Sequence, residues 1–317
     1  MSATLLLIAR RIGSAAVILL VVSAIIFTIS SLLPGDAATE TLGQSATPEA
    51  VAALRAHLGL NEPAWLRYVH WLFGLLSGDP GRSLANDMPV RELIAERLPK
   101  SLFLAGLTAA VSVPVALTIG VTSAMCRGSR LDRLLNVMTL SMVAAPEFLV
   151  ATLGVLLFAV KLRWLPSITL IPEHPTAWDI ARAYALPVMT LCFVIIAQMA
   201  RMTRAAIVDQ LAQPYAEMAA LKGVGQARLV LAHVLPNAAG PIVNAIALSL
   251  SYLLGGAIVV ETIFDYPGIA SLMVDAVTSR DMPLLQTCAM IFCAAYLLLV
   301  LVADVCAILA NPRLRHP

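Results

Sequence analysis

From Ile12 to Leu33 the chain carries no charged residue. Five further apolar runs follow: Ser101–Met125, Leu134–Val160, Ala183–Ala200, Val234–Val260 and Met282–Ala303. Among these six runs only the third holds a carboxylate, Glu147, placed directly after Pro146. A helix of about 20 apolar residues crosses the hydrocarbon core of a bilayer, and each run approaches or exceeds that length. One water-soluble core cannot absorb this much apolar chain: 60% of the residues are hydrophobic and 13% charged, where soluble domains carry about 25% charged residues. The expected fold is therefore an all-helical integral membrane protein with six spans. The first run exceeds the roughly 7–15 apolar residues of a secretory signal and lacks a small-residue cleavage site, so it reads as a retained span.

Orientation follows from basic residues in short connections. Arg10 and Arg11 precede the first span; Arg127, Arg130 and Arg133 fill the second connection. Arg201, Arg204, Lys222 and Arg228 occupy the fourth, and Arg313 and Arg315 close the chain. Six spans put all of these on one side, the cytoplasm, with both termini inside. The organisation is then residues 1–33 as N-terminus and first span, 34–100 as an outer, periplasmic segment, and 101–317 as a five-span core with a cytoplasmic loop at 201–233. In the outer segment Thr47 suits an N-cap and Pro48 a first helical position; the amphipathic "RYVHWLFGLL" suits the membrane surface or a seat on the spans. No inverted internal repeat is visible.

Chemistry of an enzymatic kind is missing from the sequence. No H-E-x-x-H, G-x-S-x-G or phosphate-binding G-x-x-x-x-G-K-[ST] pattern occurs, so neither a cofactor nor a metal is expected. The five histidines are scattered, and the five cysteines lie in or beside apolar runs as small buried residues. A net charge of +2 gives no reason to expect nucleic acid.

One polar, helix-forming stretch interrupts the apolar chain: "YAEMAALKGVGQARLVLAHVLPNA", residues 215–238. Pro214 fits a first helical position, Glu217 the first turn, Lys222 the last turn, and Gly223 a left-handed cap. A second short helix, Gln226 to His233, is expected to lead into the fifth span. Tyr215, Met218 or Ala219, and Lys222 share one face by spacing, and small residues there permit close approach by another protein. The alternative is an interfacial helix lying on lipid headgroups.

This stretch resembles the EAA loop of ABC transporter permeases. Glu217 and Ala219 match the pattern, with Ala220 alongside, Met218 replaces the first alanine, Gly223 falls six residues after the glutamate, and Leu235-Pro236 closes it. Further blocks are similar to the binding-protein-dependent dipeptide/oligopeptide/nickel permease branch: "LLPGD" at 32–36, "LRAHLGLNEPAWLRYVHWLFGLLSGDPGRSL" at 54–84, "PVRELIAERLPKSLFLA" at 89–105, "KLRWLPS" at 161–167, "VVETIFDYPGIASLMVDAVTSRDMPLLQ" at 259–286 and "NPRLR" at 311–315. Two departures stand out: Pro236 where that branch usually has arginine, and Ala270 where glycine is common. The resemblance implies the type I importer fold in a bacterial inner membrane. It also implies a second homologous permease chain, two cytosolic ATPase subunits and a periplasmic or lipoprotein binding protein. The 215–223 helix would then dock on an ATPase.

Glu147 is the central intramembrane charge. A carboxylate at a span centre costs about 2.5–3.5 kcal/mol on insertion scales, which points to a cavity, a partner or protonation. Pro146 and Glu147 are therefore candidates for the translocation pathway, an interfacial position being the alternative. Glu261 and Asp304 lie at span ends, where solvation is expected, and Pro114, Pro187 and Pro241 are expected to kink their spans. A stand-alone secondary transporter or channel would need more intramembrane carboxylates or a selectivity ring than this one residue supplies.

Overall fold

The computed structural model describes residues 3–32, 47–57, 61–169 and 176–310. Most of "LLPGD", all of "NPRLR", Arg313 and Arg315 lie outside them. The described elements are helical: α1 Ala3–Leu32, α2 Pro48–His57, α3 Ala64–Ser77, α4 Val90–Met125, α5 Arg130–Ala144, α6 Glu147–Lys161, α7 Ala177–Leu211, α8 Pro214–Leu221, α9 Gln226–Ile263, α10 Ile269–Thr278 and α11 Met282–Ala310. Among the described residues the sole β feature is an isolated bridge between Arg82 and Pro89. Helices α1, α4, α7, α9 and α11 are each long and apolar enough to cross a membrane. The pair α5 and α6 supplies a sixth span if taken together.

That pair corrects the uninterrupted run expected from Leu134 to Val160. The helix axis turns by 96° between α5 and α6. Ala145 and Pro146 are both extended, with ψ of 126° and 137°. A proline disfavours helical backbone in the residue before it and donates no N–H, so α5 stops at Ala144. Leu149 and Val150 then donate to the Pro146 carbonyl, at 3.0 and 3.1 Å, starting α6. By contrast α4, α7 and α9 run on through Pro114, Pro187 and Pro241. Among the described residues the one helix pair bent sharply at a break meets at Pro146.

The chain divides into two compact units. The first comprises residues 1–12, 103–266 and 296–317. Its centre is α7, whose most apolar window is 56% buried, against 11% for that of α1. Leu186, Leu191, Ile195 and Met199 of α7 pack with Leu104, Ala116, Ala151, Leu253, Val260 and Phe264. Lipid tails are as apolar as leucine, so close packing holds spans together here, and alanines such as Ala116, Ala151 and Ala200 let backbones approach. Glu261, expected in solvent at a span end, is fully buried. Asp304 pairs with Arg11 at 3.0 Å.

The second unit comprises residues 13–102 and 267–295. In it α3 lies against α1 through Phe27, Tyr68 and Trp71, with ring centroids 5.3–6.2 Å apart. Helix α10 packs its Ile269, Leu272 and Ala276 against Val90 and Ile94 of α4 and Leu284 and Cys288 of α11. Helix α4 thus begins at Val90, well before the apolar run that marks it in the sequence. Asp281 is fully buried and accepts from Ser83 Oγ, from Leu84 N at 3.1 Å and from Leu284 N at 3.4 Å. These bonds pin the turn before α4 to the start of α11.

Candidate functional site

The 215–238 stretch folds as local chemistry directs. Pro214 opens α8, whose first turn holds Glu217, and the helix ends at Leu221 with Lys222 as its cap residue. Gly223 has φ of +83°, the left-handed value that β-branched residues avoid. Its N–H bonds the Ala220 carbonyl at 2.9 Å, and Val224 N bonds Ala219 at 3.2 Å, which satisfies carbonyls left open at the helix end. Gly225 then starts α9, and its carbonyl accepts from Leu229 N at 2.9 Å. The expected short second helix is no separate element: Gln226–Arg228 is α-helical, Leu229–Val234 is π-helical, and both continue into the span as α9. Leu235 and Pro236 stand where the π turn becomes α-helix.

The faces of α8 differ from the simple spacing argument. Ala216 is buried in a cluster with Leu229, Val230, Val234 and Ala238, and Ala219 packs against that cluster. Ala219 therefore belongs to the inner face rather than beside Met218. Tyr215, Met218 and Leu221 are 39%, 54% and 76% exposed, and Glu217, Ala220 and Lys222 are exposed with them. Leu221, which the spacing argument left out, is the most exposed apolar side chain of the helix.

Glu147 sits at the start of α6, half-buried. A Cβ built on Gly256 of α9 would come within 2.9 Å of both its carboxylate oxygens and 3.1 Å of a Leu191 methyl. Glycine at 256 is thus what lets this carboxylate lie against the α9 backbone. No hydrogen bond or ion pair joins the Glu147 carboxylate to another described residue. Broken backbone at membrane depth is tolerated where it is buried in protein or lines a water-filled cavity. Pro146 and Glu147 stand at the break between α5 and α6.

A second carboxylate on the same broken span is built quite differently. Asp132 of α5 is 5% exposed. It accepts from Arg204 Nε and Nη2, both at 2.8 Å, from Ser123 Oγ at 2.6 Å, Asn136 Nδ2 at 2.7 Å and Gly128 N at 3.0 Å. This bidentate pair joins the ends of α4, α5 and α7. Arg204, taken from the sequence as a loop charge that reports topology, lies inside α7. Its partner is 72 residues away, and the only local hint was Ser129-x-x-Asp132, where Ser129 Oγ caps Asp132 N at 3.2 Å. Among the described residues no group of His, Cys, Asp or Glu side chains has a metal-binding arrangement.

Comparison with known proteins decides the family. Residues 116–316 match the family of binding-protein-dependent transport system inner membrane components, and residues 4–105 match the N-terminal model of such membrane components. The chain belongs to that family. It is accordingly a multi-pass bacterial inner-membrane permease subunit: a transport subunit rather than an enzyme, with ATP hydrolysis left to a separate partner. Two relatives illustrate the family's range. A probable peptide ABC transporter permease of Sinorhizobium fredii is 35% identical over 98% of this chain and 99% of its own length. The glutathione transport system permease GsiC of Salmonella typhimurium is 35% identical over 94% and 95%. The MetNI methionine ABC transporter, solved in inward-facing conformations, shares the fold at a TM-score of 0.56. That match has 16% identity and covers 69% of this chain and 96% of the other. Membership also implies a binding protein, an ATPase and a second permease as partners.

Proposed function

We propose that this chain forms half of the translocation pore of an ATP-driven importer for peptides or related small solutes. A second homologous permease supplies the other half, two cytosolic ATPase subunits grip the loops that carry α8, and a periplasmic or lipoprotein binding protein delivers the solute. The observation that carries the reading is α8 itself. It is a short helix sealed to the π-turn of α9 on its inner face, with Tyr215, Met218 and Leu221 exposed on the other. A rigid knob on a span is suited to pass an ATPase movement into that span, a two-state bias imposed by a partner. One relative's name gives peptides and another's glutathione, which supports a peptide-like solute. The break at Pro146 and a Glu147 carboxylate without a partner among the described residues support a place on the pathway.

The orientation follows the basic residues: both termini and residues 201–233 in the cytoplasm, and 34–100 outside. An outside-only thiol reagent should modify a cysteine placed at Ser77 and spare one placed at Lys222; modification of both would break the six-span arrangement. The function is tested in proteoliposomes holding this chain, its partner permease, the ATPases and the binding protein. Uptake of labelled di- and oligopeptides should require ATP and every component, and glutathione should compete if the site is broad. Ion-gradient-driven uptake by this chain without the ATPases would replace the proposal with a stand-alone secondary transporter or channel.

A further inference from the structure

Where α3 lies against α1 the two helices form an open groove of about 450 Å³, lined by Phe27, Thr28, Ser31, Trp65, Arg67 and Tyr68 among others. That volume falls within the range of roughly 300–1,000 Å³ typical of small-molecule sites. The wall is apolar except for hydroxyls and one cation. The hydroxyl protons are already committed: Thr28 donates to the Ala24 carbonyl at 2.7 Å and Ser31 to Phe27 at 2.7 Å. Tyr68 shares its hydroxyl bond with Ser23, at 2.9 Å. Arg67 differs. Its guanidinium carbon stands 6.0 Å from the Phe27 ring centroid, and among the described residues its buried Nε has no hydrogen-bond partner and no carboxylate lines the groove.

The place of this groove along α1 matters as much as its lining. Sixteen positions separate Arg11 from Phe27, about 24 Å of helix at ~1.5 Å per residue, so the groove sits near the membrane surface opposite Arg10 and Arg11. Trp65, 68% exposed, and Tyr68 stand there as interfacial aromatics do. A guanidinium with no ion-pair partner among the described residues, beside an apolar groove at headgroup depth, is complementary to one class of molecule, with an anionic head and an apolar tail. Guanidinium groups bind phosphate oxygens through paired N–H donors.

We propose that this groove is a phospholipid site, in which Arg67 holds the phosphate of a bilayer lipid and the space between α1 and α3 takes part of an acyl chain. The lipid would fix α3 to the first span. This site is independent of what the permease carries; its assignment to the outer leaflet rests on the orientation proposed above.

The test uses the whole transporter complex, purified in detergent and titrated with deuterium-labelled phosphatidylglycerol, with lipid occupancy read by native mass spectrometry. The unsubstituted complex should retain bound lipid at this chain. Arg67→Gln should weaken it roughly fivefold, the size of one basic contact at a lipid surface. Thr28→Trp, which leaves Arg67 in place and fills the groove, should lower occupancy too and keeps the test decisive should Arg67→Gln fail to assemble. Excess inorganic phosphate should not displace the lipid. Equal occupancy in the unsubstituted complex and both variants, or full displacement by inorganic phosphate, would overturn the site.

Discussion

Asp132 and Glu147 lie on the two halves of one broken span, and their surroundings are opposite. Asp132 is buried and accepts five hydrogen bonds, two of them from Arg204. Glu147 is half-buried, rests against a glycine backbone and has no such partner among the described residues. A buried carboxylate is tolerated when its lone pairs are filled by a cation and hydrogen bonds. The first half of the span meets that condition and becomes a fixed joint between α4, α5 and α7. The second half leaves its carboxylate available. One is architecture, and we propose that the other faces a solute or water.

The largest effect should come from breaking the joint. Asp132→Ala leaves Arg204 in a partly buried site without its counter-ion, and loss of one partner of a buried pair costs about 3–5 kcal/mol. Thermal unfolding of the purified complex should show that loss. The double variant Asp132→Leu with Arg204→Met should recover most of it, because well-packed apolar groups can replace a buried pair at little cost. If the single change proves as mild as the double, the network is not the joint described here.

Next in size is Gly223→Val. The left-handed conformation at φ +83° costs an L-residue roughly 1–2 kcal/mol, and a β-branched one at least that. No atom lies within 4 Å of the added Cβ, so the penalty is one of backbone and not of crowding. The variant should insert and assemble while transport and solute-stimulated ATP hydrolysis fall together. Coupled transport at the normal rate would remove α8 from the coupling route.

Which of these parts the sequence disclosed follows from the range of the forces that build them. Helix α8 was legible because Pro214, Glu217 and Gly223 act on their immediate neighbours. The spans were legible because apolar length is a property of a segment. The Asp132–Arg204 joint was hidden, since nothing near either residue specifies a partner 72 positions away. The break at Pro146 was half-hidden. Six prolines stand in the apolar runs: Pro236 follows the π turn of α9, Pro283 lies in the first turn of α11, and Pro114, Pro187 and Pro241 are absorbed into continuous helices. The distinguishing mark was Glu147 immediately after the proline: a proline followed by a carboxylate is a helix-start signature, whereas Pro114, Pro187 and Pro241 are followed by Val115, Val188 and Ile242. Reading Leu134–Val160 as one run missed that mark. The face of α8 was misassigned at Ala219 for a tertiary reason, the π-turn of α9 that takes it in.

Gly256→Ala should have a smaller effect on stability, about 1 kcal/mol, at the low end of overpacking costs. Its new methyl meets the far end of the Glu147 side chain at 2.9 Å, and that end can swing away. The informative readout is transport. Moving the carboxylate should reproduce in part whatever loss of selectivity Glu147→Gln produces, with the complex intact. If Gly256→Ala instead blocks assembly and leaves selectivity untouched, the contact is packing and Glu147 is not poised towards a pathway.

The smallest change in stability, and the sharpest contrast with Asp132, is expected of Glu147→Gln. Glutamine keeps the shape and the hydrogen-bonding ends of the side chain and removes only its charge. At Asp132 the equivalent Asp132→Asn would abolish an ion pair. At Glu147 no ion pair among the described residues is lost, so unfolding should be nearly unchanged, within about 0.5 kcal/mol of the unsubstituted complex. The charge should matter to the solute instead. A fixed carboxylate beside a water-filled path attracts cations and repels anions, an interaction strengthened where low-dielectric walls focus the field. Uptake of a lysine-containing dipeptide should fall several-fold, roughly the factor of five that 1 kcal/mol represents, while uptake of a neutral dipeptide stays near normal. Glu147→Leu separates this from a structural role: it should spare assembly and repeat the selectivity of Glu147→Gln. Equal losses for both dipeptides with failed assembly would make Glu147 a second joint, and the contrast between the two halves of the span would disappear.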